Sequence, residues 1–377
     1  MNTGGAGLLA AYYSDDFTGA TDMMELLTCS GAATTVFLHP PSDADLARHP
    51  ETRCVGVAGD TRTKTREEIA EELPSALRRL AATGAQIVQY KVCSTFDSSP
   101  AVGNIGRALE IGGDVCAQDV LPVVGGSPHL GRYCCFGTLF ASHGQDGEVF
   151  RLDRHPTMSE HPVTPMREAD LTRLLGAQTS LPVRGLGFPT LHVLPDELER
   201  SGRRVLVIDA LTDEHLRLIG RALWEHAHSG GTRFVAGPAG VGRALVLEWQ
   251  RLGLAHAAPL PAPDPVEQVV VLSGSASPVT AHQIEHAERA GYVRISLPSH
   301  VDGGGYRQLR QVIASAVTAL EQGRNVVVHP HPGRRADSRV LDQHLGEVAN
   351  ALLDASAVRR FVVCGGDTCG AVARAIG

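Results

Sequence analysis

The chain has 377 residues, 43% of them hydrophobic and 20% charged, which is too long for one ordinary core and enough for two, so two domains are expected. A formal net charge of -7 offers no basic footprint for nucleic acid or an anionic membrane, and any anionic ligand must be met by local Lys, Arg or backbone N–H groups. Eight cysteines without a C-x-x-C exclude a disulfide framework and a zinc knuckle, and reduced thiols in a cytoplasmic protein are the expectation.

Apolar runs at 8–13, 33–38, 55–58, 87–90, 205–208 and 234–236 alternate with longer amphipathic stretches. This is the pattern of strands buried on both faces and crossed over by helices, hence a largely parallel sheet. The first run is too short to span a bilayer and lacks the basic flank of a signal peptide. It leads into Ser14-Asp15-Asp16-Phe17-Thr18-Gly19-Ala20-Thr21-Asp22, a strand–turn–helix junction. The helix amino end favours ionised Asp15 and Asp16 there, and such carboxylates accept hydrogen bonds from a sugar hydroxyl. The competing reading makes one Asp a helix cap and Asp22 a first-turn ornament.

The third run ends at Asp60-Thr61-Arg62, a guanidinium at the same sheet edge or, alternatively, a helix start leading into Arg66-Glu67-Glu68. From the fourth run issues Tyr90-Lys91-Val92-Cys93-Ser94-Thr95-Phe96-Asp97-Ser98-Ser99, one cation among hydroxyl and carboxylate groups. Such a loop suits an acidic polyol, with Lys91 pairing a carboxylate and Ser94 and Thr95 bonding hydroxyls. A serine-rich surface turn with Asp97 as N-cap before Pro100 is the plainer alternative. Between about 115 and 150, Gly and aromatic residues without a helical period predict a hairpin insertion around Tyr133-Cys134-Cys135-Phe136.

A proline-rich stretch at 257–265 cannot hold a helix or an inner strand and sets the expected boundary: domain 1–256, connector 257–268, domain 269–377. Past it come strands at 269–272, 326–329 and Phe361–Cys364. Two glycine turns follow strands here: Ser273-Gly274-Ser275-Ala276-Ser277, with Pro278 at a first helical position, and Gly365-Gly366-Asp367-Thr368-Cys369-Gly370, before a helix at 371–376. One such turn is commonly only a turn, whereas two in a small domain point to phosphate and a nucleotide. His329-Pro330-His331-Pro332 is a weaker candidate for the edge of that pocket. His282 and His286, four apart, lack the H-E-x-x-H pattern and read as a solvated helix face. The P-loop, the dinucleotide fingerprint, the protein-kinase set and the esterase elbow are all absent.

Taken together, Asp15 to Asp22, Lys91 with Cys93-Ser94-Thr95-Phe96-Asp97-Ser98, Gly103-Asn104-Ile105-Gly106, His161-Pro162-Val163-Thr164-Pro165-Met166, Leu272-Ser273-Gly274-Ser275 and Gly365-Gly366-Asp367-Thr368 resemble the four-carbon acid sugar kinase family, particularly its 3-oxo-tetronate kinase branch. The resemblance spans nearly the whole chain. It implies an α/β fold of two domains, each a largely parallel sheet flanked by helices, with a ligand cleft between them. The implied reaction is ATP-dependent phosphorylation, with Mg²⁺, of the terminal hydroxyl of 3-oxo-tetronate, threonate or erythronate. By the same resemblance Asp15, Asp16, Arg62, Lys91, Ser94 and Thr95 contact the sugar acid, and Ser273, Ser275, Gly365, Gly366, Asp367 and Thr368 line the ATP site. Asp16 is the expected acceptor of the hydroxyl proton, with Asp15 next; no metal ligand is assigned. A homodimer is compatible with the sequence but not fixed by it.

Two positions and one missing segment depart from the family pattern. Members continue past the late turn to Lys-Ser-Gly-Asn-Phe-Gly, so a nucleotide domain lacking its C-terminal segment is expected; Pro238 and Cys369 stand where relatives commonly carry Ser. The alternative function is therefore a sugar-acid-binding protein or an inactive kinase with an incomplete nucleotide site. A nicotinamide-dependent oxidoreductase would need the missing dinucleotide fingerprint, and an aspartate-nucleophile phosphatase would need Asp-x-Asp at the first turn.

Overall fold

The structure, a computed structural model, describes residues 7–144, 147–160, 165–257, 262–275, 277–297, 305–330 and 338–377. His161-Pro162-Val163-Thr164, residues 258–261 of the proline-rich stretch, Ala276, His331-Pro332 and the side chain of Asp367 lie outside the described residues. The chain divides into two compact units, Met1–Leu260 and Pro261–Gly377. Among the described residues no helix is long and apolar enough to cross a membrane.

Strands of the first unit are β1 (Ala10–Ser14), β2 (Thr34–Phe37), β3 (Cys54–Ala58), β4 (Ile87–Lys91), β5 (Val120–Val124), β6 (Arg132–Cys135), β7 (Thr138–His143), β8 (Glu148–Arg151), β9 (Val183–Leu186), β10 (Arg204–Ile208) and β11 (Arg233–Gly237). Its helices are α1 (Phe17–Cys29), α2 (Asp43–Ala47), α3 (Arg66–Ala81), α4 (Ile105–Val115), α5 (Leu171–Gly176), α6 (Leu194–Leu198), α7 (Asp213–His228) and α8 (Ala239–Arg251). Eight strands form one parallel sheet in the order β2-β3-β1-β4-β11-β5-β10-β9. Every residue of β1, β3, β4 and β5 is buried, because helices cover both faces. Successive side chains feed opposite cores: Tyr12, Ile208 and Val235 pack with Met23, Leu27 and Trp249 on one face, and Tyr13, Val88 and Val207 with Leu73, Leu77 and Leu109 on the other.

The segment expected to be a hairpin insertion is more than that. Its first third is β5, an inner strand of the large sheet, and only β6-β7-β8 form the antiparallel meander. Pro122 hides β5 in the sequence, since proline cannot donate to a ladder. The structure accommodates it by reducing the β5–β11 register to the single pair Val123–Ala236. The Gln118 side chain bridges the gap: its Oε1 accepts from Phe234 N at 2.9 Å, and its Nε2 donates to Val120 O at 2.6 Å and Phe234 O at 3.1 Å.

The second unit alternates β12 (Val270–Ser273), α9 (Pro278–Arg289), β13 (Val293–Leu297), α10 (Gly305–Glu321), β14 (Val326–Pro330), α11 (Ser338–Ala355), β15 (Phe361–Cys364) and α12 (Gly366–Ile376). Its four strands are parallel in the order β13-β14-β12-β15, around a core that includes Val270, Leu272, Val326, Val328, Leu345 and Leu352. α12 begins earlier than the 371–376 expectation: Gly365, at φ +119°, turns the chain within one residue, so Gly366 already opens the helix.

Candidate active site

In the large sheet the chain runs from β1 out to β2 and back to β3 on one side, then places β4 on the other. β1 and β4 therefore flank a point of reversal, where open parallel sheets leave a crevice outside the carboxyl ends of their strands. Register brings four strand ends level there: Ser14 pairs with Ala58 and with Lys91, and Lys91 pairs with Gly237.

Asp16 is the N-cap of α1, its Oδ1 accepting from Gly19 N at 2.7 Å. Its Oδ2 meets Arg62 Nη1 at 2.9 Å, while Asp15 Oδ1 meets Arg62 Nη2 at 3.0 Å. The backbone holds this arrangement, with Asp15 N donating to Lys91 O at 2.9 Å and Arg62 N to Asp15 O at 3.1 Å. One guanidinium thus clamps both carboxylates, and capping and charge pairing belong to the same Asp16. Burial raises the Asp15 carboxyl above its ordinary range, Arg62 works against that rise, and the neighbouring Asp16 adds to it. For Arg62, burial favours loss of the proton, but Asp15, Cys93 and Asp16 outweigh it and raise its pKa.

Lys91 is 2% exposed. Its Nζ donates to Val92 O at 3.3 Å and stands 3.4 Å from Asp22 Oδ2, on the second turn of α1. Gly19 makes this approach feasible: a Cβ there would lie 2.6 Å from Asp16 Oδ1, 2.7 Å from Ser14 Oγ and 3.1 Å from Lys91 Nζ. Ser14 is fully buried and its hydroxyl has no hydrogen-bond partner among the described residues. An unmade buried hydrogen bond costs about 1–3 kcal/mol.

Ser94 and Thr95 lie on the turn leaving β4. Thr95 Oγ1 shares a 3.0 Å hydrogen bond with Cys93 Sγ, and Ser94 makes no side-chain hydrogen bond among the described residues. Phe96, fully buried at φ +54°, pins the turn in a conformation costly for an aromatic residue. Asn104 caps α4 through Arg107 N at 2.7 Å.

Ser14, His129 and Arg243 were not among the sequence candidates. Arg243, near the start of α8, pairs with Asp213 at 2.6 Å. Burial lowers the His129 pKa, Arg243 lowers it further, and Asp22 and Asp213 oppose this. The clue available in the sequence was Gly237-Pro238-Ala239-Gly240, the turn that brings α8 beside Lys91; His129 carried no comparable signal.

In the second sheet β12 lies between β14 and β15, and Ser273 pairs with Cys364, so both glycine turns leave adjacent strand ends at a second reversal. A Cβ on Gly274 would lie 1.9 Å from Thr368 Oγ1. Thr368 donates to Asp342 Oδ1 at 2.6 Å, and Ser275 Oγ shares a 2.9 Å bond with Thr280 Oγ1. Among the described residues, Ser273 is fully buried with an unpartnered hydroxyl, and α12 starts without a side-chain cap. Bare glycines, an uncapped helix start and an orphaned hydroxyl fit a polyphosphate that supplies acceptor oxygens. His329 is otherwise engaged, its Nε2 accepting from Arg294 Nε at 2.8 Å. His282 and His286 are both exposed on α9.

A family model described as a sugar-binding N-terminal domain matches residues 10–245, and one described as a nucleotide-binding C-terminal domain matches residues 270–377. A 3-oxo-isoapionate kinase of Paraburkholderia graminis is 43% identical over 99% of this chain and 84% of its own length. A 3-oxo-tetronate kinase of Pseudomonas fluorescens is 32% identical over 96% of this chain and 85% of its own. Among solved structures, a Salmonella typhimurium LT2 protein described as a putative tRNA synthase has a TM-score of 0.77 at 25% identity, covering 99% of this chain and 88% of that one.

Proposed function

This chain belongs to the four-carbon acid sugar kinase family, and from that premise we propose that it transfers the terminal phosphoryl group of ATP to a hydroxyl of a 3-oxo sugar acid. Of the acids named for its relatives, 3-oxo-isoapionate is the first choice, because the kinase of that name is 43% identical and the 3-oxo-tetronate kinase 32%. The observation that carries the reading is the double carboxylate of Asp15 and Asp16, clamped by Arg62 at the β1–β4 reversal beside the buried cation of Lys91.

Phosphoryl transfer passes through a loose, anionic transition state that asks for alignment and charge neutralisation more than for a strong base. ATP with Mg²⁺ supplies the phosphoryl group and much of that neutralisation. Asp16, the more exposed of the pair, orients the acceptor hydroxyl and takes its proton. Arg62 fixes both carboxylates, and Lys91 receives the negative end of the acid. Ser94 and Thr95 serve its remaining hydroxyls. In the second unit Ser273, Ser275, Gly365, Gly366, Asp367 and Thr368 hold the triphosphate through hydroxyls, backbone N–H groups and the amino end of α12.

A coupled ADP-release assay over 3-oxo-isoapionate, 3-oxo-tetronate, threonate and erythronate tests this. Turnover is expected with a 3-oxo acid, and Asp16→Asn is expected to lower kcat by about 10²–10⁴ while the KM for ATP moves little. Unchanged turnover in Asp16→Asn removes its role. An unmodified chain that binds these acids by calorimetry yet neither binds ATP nor releases ADP overturns the kinase reading in favour of a binding protein.

A further inference from the structure

We propose that Ser14 and Lys91 together form the seat for the substrate carboxylate, and that Asp22 occupies Lys91 until the substrate displaces it; this rests on the sugar-acid kinase reading. A carboxylate needs a cation, and Arg62 and Lys91 are not equivalent. Arg62 already pairs with Asp15 and Asp16 at 3.0 and 2.9 Å. Lys91 has three N–H donors to place. Its contacts, Val92 O at 3.3 Å and Asp22 Oδ2 at 3.4 Å, are both longer than the roughly 2.7–2.9 Å of a good charge-assisted hydrogen bond.

Ser14 Oγ borders the same space as Lys91 Nζ, the two standing 2.7 and 3.1 Å from where a Gly19 Cβ would lie, and it is fully buried and without a partner among the described residues. A hydroxyl cut off from water and from protein alike marks a position whose partner arrives with the ligand. When a substrate carboxylate replaces Asp22, the three donors of Lys91 go to Val92 O, Ser14 Oγ and the carboxylate, and both deficits close at once. Asp22, with its side chain 39% exposed, turns to water at little cost. The absent side chain of Gly19 leaves the room in which the ammonium shifts toward Ser14.

The test is Ser14→Ala, read by steady-state kinetics on 3-oxo-isoapionate and 3-oxo-tetronate and by thermal unfolding. The KM for the acid is expected to rise about tenfold, with kcat and the KM for ATP changing far less, and with Tm unchanged or higher because an unpartnered buried hydroxyl is gone. Asp22→Asn is expected to lower the KM for the acid by removing its competitor for Lys91. A KM within about twofold of the unmodified chain in Ser14→Ala overturns the inference, as does a fall in Tm that accompanies the loss, which marks a structural role, or a higher KM in Asp22→Asn. If the unmodified chain releases ADP with neither acid, the kinase reading itself fails and takes the inference with it.

Discussion

Ser14 and Ser273 end the two strands at which their sheets reverse, and both carry a fully buried hydroxyl with no partner among the described residues. Beside each, a glycine leaves room that a methyl group would fill: Gly19 beneath Lys91, and Gly274 against Thr368. The second is the tighter, with a Cβ only 1.9 Å from Thr368 Oγ1. Gly274→Ala must therefore displace Thr368 from Asp342 or open the turn. It is expected to abolish ATP binding in calorimetry while 3-oxo-isoapionate binding and the unfolding of the first unit are unaltered; ATP affinity equal to that of the unmodified chain would refute the role given to this turn. The acidic and glycine turns were legible in sequence because their residue types sit at fixed offsets from apolar runs. Ser14 was not, since an unsatisfied hydroxyl is defined by what fails to surround it.

At the level of elements, the strands found from sequence are runs of apolar and β-branched residues without a charge inside them, including the edge strands β2 and β15, which are only partly buried. β9 and β13 escaped because Arg184 and Arg294 interrupt their runs. β5 escaped because of Pro122, and its place between β11 and β10 depends on Gln118. Gln118→Ala leaves Phe234 N without its acceptor in the core. Chemical denaturation is expected to show a loss of about 1–3 kcal/mol, as for an unmade buried hydrogen bond. A loss under about 0.5 kcal/mol would mean that the ladder closes without this side chain.

Across the whole molecule, stability carries a pH signature from histidines that folding keeps neutral. Burial lowers the pKa of His129, His155 and His226 below 6.5, although Glu199 opposes the shift at His226. At His155 the geometry agrees with the direction, because Nδ1 accepts from Thr157 N at 3.1 Å and Met158 N at 3.3 Å and must stay unprotonated to do so. The unfolded chain takes up these protons more readily than the folded one. Their stabilisation is thus complete above the unfolded pKa of 6.5 and is lost as pH falls through the lower folded values. Thermal unfolding should show a Tm that is level above pH 7 and declines steadily toward pH 5, before the carboxylates titrate. A flat Tm across that window would contradict the burial assigned to these rings.

The sequence by itself determined the α/β class and the strand-end turns, because hydrophobic alternation and turn chemistry are properties of neighbouring residues, and the resemblance of its ordered motifs pointed to the kinase family. Only the tertiary structure decided that Arg62 reaches back 47 positions to clamp Asp15, that Asp22 holds Lys91, and that Pro122 lies in an inner strand beside Gln118. Those pairings depend on which strands lie side by side and in what register, and that order is set by packing both faces of a sheet at once, which no local stretch of chain encodes.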